Sequence, residues 1–413
     1  MINLFFIVHD YSGAKTYANE LLGYLATHEG IAVHKLYIND ADYNELTKIK
    51  EGNIQNIYIP RVKLNGYTLE KYAARCIDLL YPLLNNKKNV IFHLNYSTQV
   101  KLGLEARKRF NAQLVYTLHY LPNYFSLFAT NEICPEEVTT TGDVLDKEMV
   151  IEADKIICVT RFAQDMLNQH FDTPIEKTRL IYNGYSKIES GNSAINNQEI
   201  KRKFGFQVDD QIILFVGRLE KAKGVEGLLE AFMKLPDDDW NLKLVLVGGG
   251  DYTPFMDLCQ NKFGSISFTG KLSKESVEQL YEIADIGVIP SELEQCSYVA
   301  LEMMKHGLPI IASQAPGLRE LFEDEQDALL FPLKKREDGL LGLQVDAEAL
   351  YEKLSRLIRN RELQKKLGTN AQIKWKKQLT SKHIGESTFL LYKEVVEFVI
   401  QEGIKEFCNP NLQ

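Results

Sequence analysis

The strongest constraint on the fold is a repeated alternation of short apolar runs with amphipathic stretches. In the first half, the predicted strands are Ile2–Val8, Ala32–Ile38, Ile54–Tyr58, Val90–Leu94, Leu114–Leu118, Lys155–Val159 and Arg179–Tyr182. Predicted helices separate them, at Ala14–Ala26, Leu69–Leu84 and Val144–Glu152. Continuous apolar strands between amphipathic helices are typical of a parallel sheet covered on both faces.

The alternation stops at a polar stretch, residues 186–198, and then restarts. The second half has predicted strands at Ile212–Val216, Lys243–Val247, Ile266–Thr269, Ile286–Ile289, Pro309–Ala312 and Ala328–Phe331. Its predicted helices include Gly224–Leu235, Lys274–Ala284 and Tyr298–Lys305. The 413 residues also exceed one ordinary core, because domains run to roughly 150–200 residues.

The prediction is therefore two doubly wound α/β domains, residues 1–185 and 201–379, joined by a linker at 186–200. A last helical stretch within 380–413, at Ser387–Phe398, is expected to pack back on the first domain. Ligands of open parallel sheets bind beyond the carboxyl ends of the strands. The loops that follow strands are thus the places to look for functional residues.

Two cations follow the first strand of the second half. Arg218 and Lys223 lie between the predicted strand Ile212–Val216 and the next helix, with Gly217 and Gly224 beside them. A guanidinium and an ammonium at a helix N-terminus suit a pyrophosphate, and the glycines permit a close backbone approach. Taken without the other motifs, this loop is equally well explained as an exposed turn that carries two solvated cations.

Two glutamates follow a later strand. Glu294 lies on the loop after Ile286–Ile289, and Glu302 lies on the predicted helix behind it. A carboxylate there can accept both hydroxyls of a ribose. Backbone N–H groups at Cys296–Tyr298 can bind an anion or sugar hydroxyls. The alternative for Glu302, a solvated helix position, is disfavoured because its helix neighbours are apolar.

In order and spacing, these and several further motifs resemble glycosyltransferase family 4. The resemblance is strong over residues 205–335 and weak elsewhere. It implies the GT-B fold, in which two Rossmann-like domains face each other across a cleft, with the acceptor on the first and the nucleotide sugar on the second. The matching motifs are Val216–Leu219, Lys223-Gly224, Val247–Gly250, Phe268–Gly270, Ala284–Ile286, Pro290-Ser291, Glu294 with Glu302, Gly307–Pro309 and Ala312-Ser313.

The resemblance also implies chemistry: a retaining hexosyl transfer from a nucleotide diphosphate sugar, with no metal and no cofactor. Arg218 and Lys223 would neutralise the diphosphate, and Glu302 would hold the ribose. Glu294 would contact the transferred sugar, with the donor-binding residues Gln295, Cys296, Ser297 and Tyr298 after it. Cations in place of a metal ion are physically coherent, because negative charge develops on the leaving oxygen.

Four positions besides the cations and the glutamate loop are expected at the site. His119 directly follows the predicted strand Leu114–Leu118, and the resemblance places it at the reacting centre. Gly13 after the first strand, Gly217, and Gly249 in a triple-glycine turn would let the backbone approach the donor. His9 and His93 also lie near strand ends, but a structural role is favoured for both.

The sequence departs from the family pattern at three places. Gln295 and Ser297 stand where the family usually has glycine, so the identity of the donor sugar cannot be transferred from the family to this chain. Ser12-Gly13 and Pro316-Gly317 each replace a Gly-Gly pair, the second ahead of Glu320. The base (UDP or GDP favoured over ADP) and the acceptor, a saccharide, lipid-linked glycan, peptide or metabolite, stay open.

Charge and cysteine content limit the partners and the compartment. A net charge of -8 and a pI near 5.7 disfavour nucleic acid and leave at most peripheral membrane contact. The basic cluster Lys101, Arg107, Lys108 and Arg109 fits a solvated helix face. Six scattered cysteines and no apolar run near ~20 residues indicate a cytoplasmic protein, peripheral at most on the inner membrane face.

Asp237–Asp239 resembles the metal-binding Asp-x-Asp of other transferases, but it lies at the wrong end of a strand for a site in this fold. No metal site is expected. Two alternative functions remain: another enzyme on the same scaffold, such as a nucleotide-sugar epimerase or a sugar phosphorylase, and a non-catalytic transferase-like partner subunit. Intact Arg218, Lys223 and Glu302 disfavour the partner subunit.

Overall fold

The computed structural model describes most of the chain and groups it into two compact units. Tyr185 begins the described part of the second unit, and Ser381 returns the chain to the first. The described residues are 1–8, 12–61, 68–121, 141–186, 196–236, 241–259, 262–336 and 342–407.

The first unit is built on an eight-stranded sheet in the order β3-β4-β2-β1-β5-β6-β7-β8. All neighbouring pairs are parallel except β3 with β4. Central strands β1 and β5 are buried along their whole length, which explains their unbroken apolar sequences. The strands are β1 Ile2–Ile7, β2 Ile31–Asp40, β3 Thr47–Glu51, β4 Ile54–Pro60, β5 Val90–Leu94, β6 Gln113–Leu118, β7 Lys155–Cys158 and β8 Thr178–Leu180.

Helices connect these strands and include one from the far end of the chain. They are α1 Ser12–Leu25, α2 Leu69–Leu84, α3 Val100–Phe110, α4 Thr141–Glu152, α5 Arg161–Phe171 and, from the C-terminal part of the chain, α14 Ser381–Phe407. Helix α14 packs against α1 so closely that a Cβ on Gly385 would lie 1.9 Å from Cδ1 of Tyr24.

The second unit contains a six-stranded parallel sheet in the order β11-β10-β9-β12-β13-β14, and a separate antiparallel pair β15-β16. Its strands are β9 Gln211–Val216, β10 Leu242–Val247, β11 Ile266–Gly270, β12 Ile286–Ile289, β13 Ile310–Ser313, β14 Leu329–Phe331, β15 Leu333–Lys335 and β16 Leu343–Val345. Its helices are α6 Asn197–Lys203, α7 Val225–Met233, α8 Thr253–Met256, α9 Lys274–Ile283, α10 Tyr298–Lys305, α11 Pro316–Leu321, α12 Ala347–Ile358 and α13 Arg361–Gln378.

Both sheets confirm the predicted doubly wound class, because strand order reverses within each. The reversal falls between β1 and β5 in the first unit and between β9 and β12 in the second. Ligands of such sheets bind at the carboxyl edge beside the reversal. The residues that follow β1, β5, β9 and β12 are therefore the first candidates for functional roles.

Several elements differ from the sequence prediction. β3, β15 and β16 were not predicted: β3 is mostly exposed and the other two are short, so none shows a buried apolar run. Helix α14 begins at Ser381, six residues before the predicted start. Helix α6 begins inside the predicted linker, because the Asn196 side chain caps it by accepting from Gln198 N at 3.2 Å.

In the described part of the chain, no helix is both long enough and apolar enough to cross a membrane. The basic cluster of α3 is largely neutralised by ion pairs. Lys101 contacts Glu148 at 2.6 Å, Arg107 contacts Asp154 at 2.7 Å, and Arg109 contacts Asp78 at 2.5 Å. This cluster therefore has little free positive charge to offer an anionic surface.

Candidate active site

An ion pair joins the two loops at the strand reversal of the second unit. Lys223 lies in a short 3-10 helix after β9, and Glu294 lies on the loop after β12. The Lys223 Nζ and Glu294 Oε2 atoms are 2.6 Å apart. The backbone adds a second link, because Glu292 N–H donates to Ala222 O at 2.9 Å. The fold thus places a cation and a carboxylate together at the expected edge.

A glycine makes this approach of the two loops possible. Gly224 has φ of 69°, and a Cβ there would lie 2.0 Å from the carbonyl oxygen of Pro290. A residue with a side chain would therefore meet both backbone strain and a collision. Here the sequence prediction attributed the glycine to ligand approach, whereas the contact it permits is between two parts of the protein.

The Glu294 carboxylate is oriented by its neighbours. Ser291 Oγ donates to Glu294 Oε2 at 3.1 Å, and Ser313 Oγ donates to the Ser291 carbonyl at 2.5 Å. Gly317 N–H donates to the Glu294 carbonyl at 3.0 Å. Its side chain is 16% exposed, so the carboxylate is shielded but still reachable by a ligand.

Glu302 is fixed on α10 by a tyrosine of the preceding helix. Tyr281 on α9 donates its hydroxyl to Glu302 Oε2 at 2.8 Å. Burial raises the pKa of Glu302, the hydrogen bond from Tyr281 opposes the rise, and the charge of Glu278 adds to it. The carboxylate thus lies in a poorly solvated place, which strengthens its attraction for hydroxyl donors.

Glu278 organises the side chains next to the Tyr281–Glu302 pair. Its carboxylate accepts from Lys305 at 2.7 Å, from His306 at 2.6 Å and from the Tyr185 hydroxyl at 2.9 Å. Burial alone would raise the pKa of Glu278, but His306 and Lys305 outweigh it and hold the pKa near 2. The ring of Tyr281 stacks on His306 at 5.3 Å, so the network also holds the tyrosine in place.

The start of α10 is built by the segment between the two glutamates. Ser297 caps the helix by accepting from Ala300 N at 3.4 Å. Gln295 and Cys296 are buried, and Tyr298 is half-buried. A Cβ on Gly317 would lie 2.0 Å from the Gln295 carbonyl oxygen, so α11 fixes this loop by direct backbone contact.

The remaining predicted donor residues of the second unit lie on the loops after β9 and β10. Arg218 is exposed, and its guanidinium binds Glu220 at 2.6 Å. A Cβ on Gly217 would meet the Phe215 ring at 3.0 Å, while one on Gly249 would meet nothing within 4 Å. The Gly249 carbonyl accepts from Leu219 N at 2.9 Å, which ties the triple-glycine turn to the Arg218 loop.

In the first unit, His119 follows β6 and lies beside Asn95, which follows β5. The His119 Nε2 and Asn95 Oδ1 atoms are 3.0 Å apart, and the Tyr17 and His119 rings form a T-shaped pair with their centroids 4.8 Å apart. Burial lowers the pKa of His119 to about 4. Gly13 lies near the start of α1, exposed and with open space around it.

Two family models match this chain, one on each half. Residues 196–374 match "Glycosyl transferases group 1", and residues 11–186 match "Glycosyltransferase Family 4". The chain belongs to the GT-B glycosyltransferases of the family 4 type.

Curated relatives of this family match mainly over part of their length. An uncharacterized glycosyltransferase of Methanocaldococcus jannaschii, MJ1607, is 35% identical over 43% of this chain and 47% of its own. The D-inositol 3-phosphate glycosyltransferase of Mycobacteroides abscessus is 27% identical over 60% of this chain and 56% of its own. The chain thus spans about half the length of these relatives.

Solved GT-B structures match over nearly the whole chain. A sucrose-phosphate synthase from Thermosynechococcus elongatus has a TM-score of 0.73 at 22% identity, covering 96% of this chain and 99% of that one. Anabaena Alr3699/HepE in complex with UDP has a TM-score of 0.72 at 16% identity, covering 95% and 100%. At these identities the likeness establishes the fold.

Against this family background, the predicted residues divide into two groups. Direct contact joins Lys223 to Glu294, and α10 connects the 295–298 segment to Glu302. Arg218 contacts Glu220 instead, while His119 and Gly13 belong to the first unit. His93 is fully buried and hydrogen-bonded, in keeping with a structural role. His9 lies outside the described residues.

Sequence reasoning named Ser291 only as part of a family motif, without a role, and missed Tyr281 and Asn95. Asn95 follows a strand at its carboxyl end, as His119 does, so the same rule could have found it. Tyr281 lies mid-helix, and its contact with Glu302 depends on how α9 and α10 pack. Among the described residues, no group of three or more His, Cys, Asp or Glu side chains could hold a metal ion; Asp237–Asp239 lies outside them.

Proposed function

We propose that this chain is a retaining, metal-independent glycosyltransferase. It moves a hexose-type sugar from a nucleotide diphosphate donor to a cell-envelope saccharide, a lipid-linked glycan or another acceptor. The observation that carries the proposal is the Lys223–Glu294 pair at the β9/β12 reversal, with Glu302 on the helix that follows. The cation suits the diphosphate, and the two carboxylates suit hydroxyls of the sugar and the ribose.

Lys223 and Arg218 stabilise the leaving group. When the bond from the anomeric carbon to the diphosphate breaks, negative charge grows on the departing oxygen. An ammonium has three N–H donors, so Lys223 can keep Glu294 with one and bind phosphate with the others. The exposed Arg218 guanidinium can exchange its surface partner Glu220 for phosphate at little cost, since exposed ion pairs are worth roughly 0–1 kcal/mol.

Glu302, Glu294 and His119 bind hydroxyl groups. Glu302 accepts from the ribose of the donor, and Glu294 accepts from the transferred sugar, with Gln295, Cys296, Ser297 and Tyr298 around it. The imidazole of His119 contacts a sugar hydroxyl. No step needs a metal ion or a cofactor, because the leaving-group charge is met by the two cations and the N-terminus of α7.

UDP is the first donor nucleotide to test, and GDP the second. Structural neighbours were solved in complex with UDP and with UDP-glucose, and D-inositol 3-phosphate glycosyltransferases are among the relatives. Among the described cysteines, Cys76, Cys158 and Cys259 are buried thiols outside any disulfide. We therefore place the activity in the cytoplasm, at most peripherally at the inner membrane face.

The test is a thermal-shift and calorimetric screen of the protein against UDP, GDP, ADP and their sugars, with and without EDTA. We expect a shift for one nucleotide that EDTA does not change. With a donor sugar and candidate acceptors, NMR of the product should show retention of anomeric configuration. Chelator-sensitive activity, or inversion, would contradict the proposed mechanism.

Variants then test the roles. Lys223→Ala should lower kcat by about 10²–10³-fold, the usual effect of losing one transition-state charge contact. Lys221→Ala, two residues away and equally charged, is the matched control and should stay within a few-fold. Nucleotide binding without diphosphate release in the presence of acceptors would favour the partner subunit, and release-free interconversion of the sugar would favour an epimerase.

A further inference from the structure

Two hydrogen-bonded pairs, one above the other, connect β5 and β6 where they end. His93 Nε2 and Thr117 Oγ1 are 2.7 Å apart, and two residues further along each strand His119 Nε2 and Asn95 Oδ1 are 3.0 Å apart. The strands are parallel and in register, with His93 opposite Val115. Since side chains two residues apart share a face, the upper pair rests on the lower one.

The orientation of the Asn95 amide is determined by a third strand. Asn95 Nδ2 donates to the Ile7 carbonyl at 2.8 Å, and Asn95 N–H donates to Gln99 Oε1 at 2.8 Å. Turning the amide over would place Oδ1 against the Ile7 carbonyl, two acceptors in contact. The amide therefore presents its oxygen, and not its NH₂ group, to His119.

That oxygen dictates where the imidazole proton lies. An amide oxygen accepts only, so Nε2 of His119 must carry the hydrogen. Burial keeps the pKa of His119 near 4, so the ring is neutral around pH 7 and has one proton. The second nitrogen, Nδ1, then carries a lone pair and can only accept a hydrogen bond.

We infer that Asn95 is a positioning residue, which holds His119 in the Nε2–H tautomer so that Nδ1 accepts a hydrogen bond from a sugar hydroxyl. The inference rests on the proposed function and narrows it. A neutral acceptor nitrogen favours hydroxyl donors and disfavours a phosphate oxygen, which is also an acceptor. His119 then recognises a sugar hydroxyl and does not protonate a phosphate oxygen.

The lower pair and Tyr17 keep the imidazole from turning. The Tyr17 hydroxyl and Thr117 Oγ1 are hydrogen-bonded at 2.9 Å, while the Tyr17 ring packs on His119 in a T-shaped pair with an interplanar angle of 79°. His93 Nδ1 is held from below by the Tyr392 hydroxyl of α14 at 2.5 Å. A ring flip of His119 would have to break the Asn95 contact within this packing.

The decisive experiment reads the tautomer directly. Nitrogen NMR of ¹⁵N-histidine-labelled full-length protein, with the His119 signals assigned from His119→Gln, should show a protonated Nε2 and an unprotonated Nδ1 near neutral pH. A protonated Nδ1 would overturn the inference. This readout needs no turnover, so it can succeed or fail independently of the proposed transferase activity.

Two substitutions test the positioning role. Asn95→Asp keeps the acceptor but adds a charge that stabilises the imidazolium, so the pKa of His119 should rise and an acid limb should enter the kcat profile. Asn95→Leu should give a mixture of tautomers and lower kcat at least tenfold with the donor KM changed less. Titratable groups near His119 in the described residues are His93, Tyr17 and Tyr96.

The matched control is Asn3→Leu. Asn3 is another buried amide in the same sheet, bonded to the Lys88 carbonyl at 2.8 Å near the amino end of β1. It should cost comparable stability and leave the His119 signals and the pH profile unchanged. If Asn95→Leu keeps the wild-type tautomer and kcat, or Asn95→Asp leaves the pH profile unmoved while folded, Asn95 has no positioning role.

Discussion

Each site carboxylate of the second unit has a hydroxyl group holding one oxygen. Ser291 holds Glu294, and Tyr281 holds Glu302. The remaining oxygens are left to meet other donors at a known orientation. Such preorganisation matters because a ligand then spends less of its binding free energy on ordering side chains.

Tyr281→Phe tests this at Glu302. The change removes one hydrogen bond to a partly buried carboxylate, worth about 1.5–3 kcal/mol when one group is charged, and donor nucleotide affinity should fall about tenfold. Loss of this hydrogen bond also raises the pKa of Glu302 further. On acidification, the variant should therefore lose its affinity for the nucleotide at a higher pH than wild type does. Isothermal titration with the nucleotide across pH measures both effects.

Tyr81→Phe is the control for that change, because Tyr81 is exposed on α2 in the other unit. It should leave affinity and its pH dependence as in wild type. Equal affinities for Tyr281→Phe and wild type at every pH would show that Glu302 does not need the tyrosine, or does not bind the ribose.

For single residues, the sequence predicts membership of the site from a position directly after a strand. Lys223 and Glu294 were predicted separately, and the fold brings them into contact. Ser291 and Tyr281 could not be assigned in this way, because a hydroxyl in a sequence does not indicate which carboxylate it will contact. Their roles depend on side-chain packing between elements distant in sequence.

Among elements, the site is held together by backbone contacts that leave no space for a Cβ. Gly224 packs on Pro290, and Gly317 packs on Gln295, each with the added Cβ only 2.0 Å from a carbonyl oxygen. These contacts fix the β12–α10 loop from both sides. The Pro316-Gly317 departure from the family pattern thus retains the one glycine that the packing requires.

Gly317→Ala should displace this loop. Backbone atoms cannot move aside as a flexible side chain can, so the loop that carries Glu294 must shift and nucleotide affinity should fall at least tenfold. The melting temperature should also drop by several degrees, at roughly 2–4 °C per kcal/mol for a unit of this size. Thermal shift with and without nucleotide measures both.

Gly264→Ala is the matched substitution in the same unit, since a Cβ there meets nothing within 4 Å. We expect wild-type affinity and stability from it. If Gly317→Ala binds nucleotide as wild type does, the loop does not contribute to the donor site.

Element prediction succeeded where burial imposes a pattern. β5, β12, α2 and α10 begin and end where the sequence predicted them. The exposed edge strand β3 was missed because its pairing with β4 comes from hairpin geometry and leaves no apolar signature. The pattern on α14 did reveal a helix, but not its first residues from Ser381, where the helix packs against α1 of the same unit.

For the whole molecule, the two units carry opposite responses to acid. In the first, burial lowers the pKa of His34 and of His119 to about 4, and places the pKa of His93 well below its usual range. In the second, burial raises the pKa of Glu292 to about 7 despite its contact with Arg336. Both groups of residues are neutral in the folded state when acidified to about pH 5.

The signs follow from proton uptake on unfolding. An unfolded histidine titrates near 6.5, so between about pH 6.5 and 4 the unfolded first unit binds protons that the folded one excludes. As the pH drops through this range, the free energy of unfolding of the first unit should therefore decrease by up to about 1.4 kcal/mol per pH unit for each histidine. The Glu292 contribution runs the other way, being fully present below an unfolded pKa of about 4.3 and lost as pH rises through 7.

Acidification from about pH 7 to 5 should therefore loosen the first unit before the second. Hydrogen exchange, corrected for intrinsic rates, should show peptides of β1, β5 and β6 losing protection while those of β9 and β12 keep theirs. His34→Asn removes one of the three histidines and should flatten the acid response of the first unit by up to one proton, with the second unit unaffected. Earlier loss of protection in β9 and β12 would mean that the charges of the second unit, and not the buried histidines, govern acid stability.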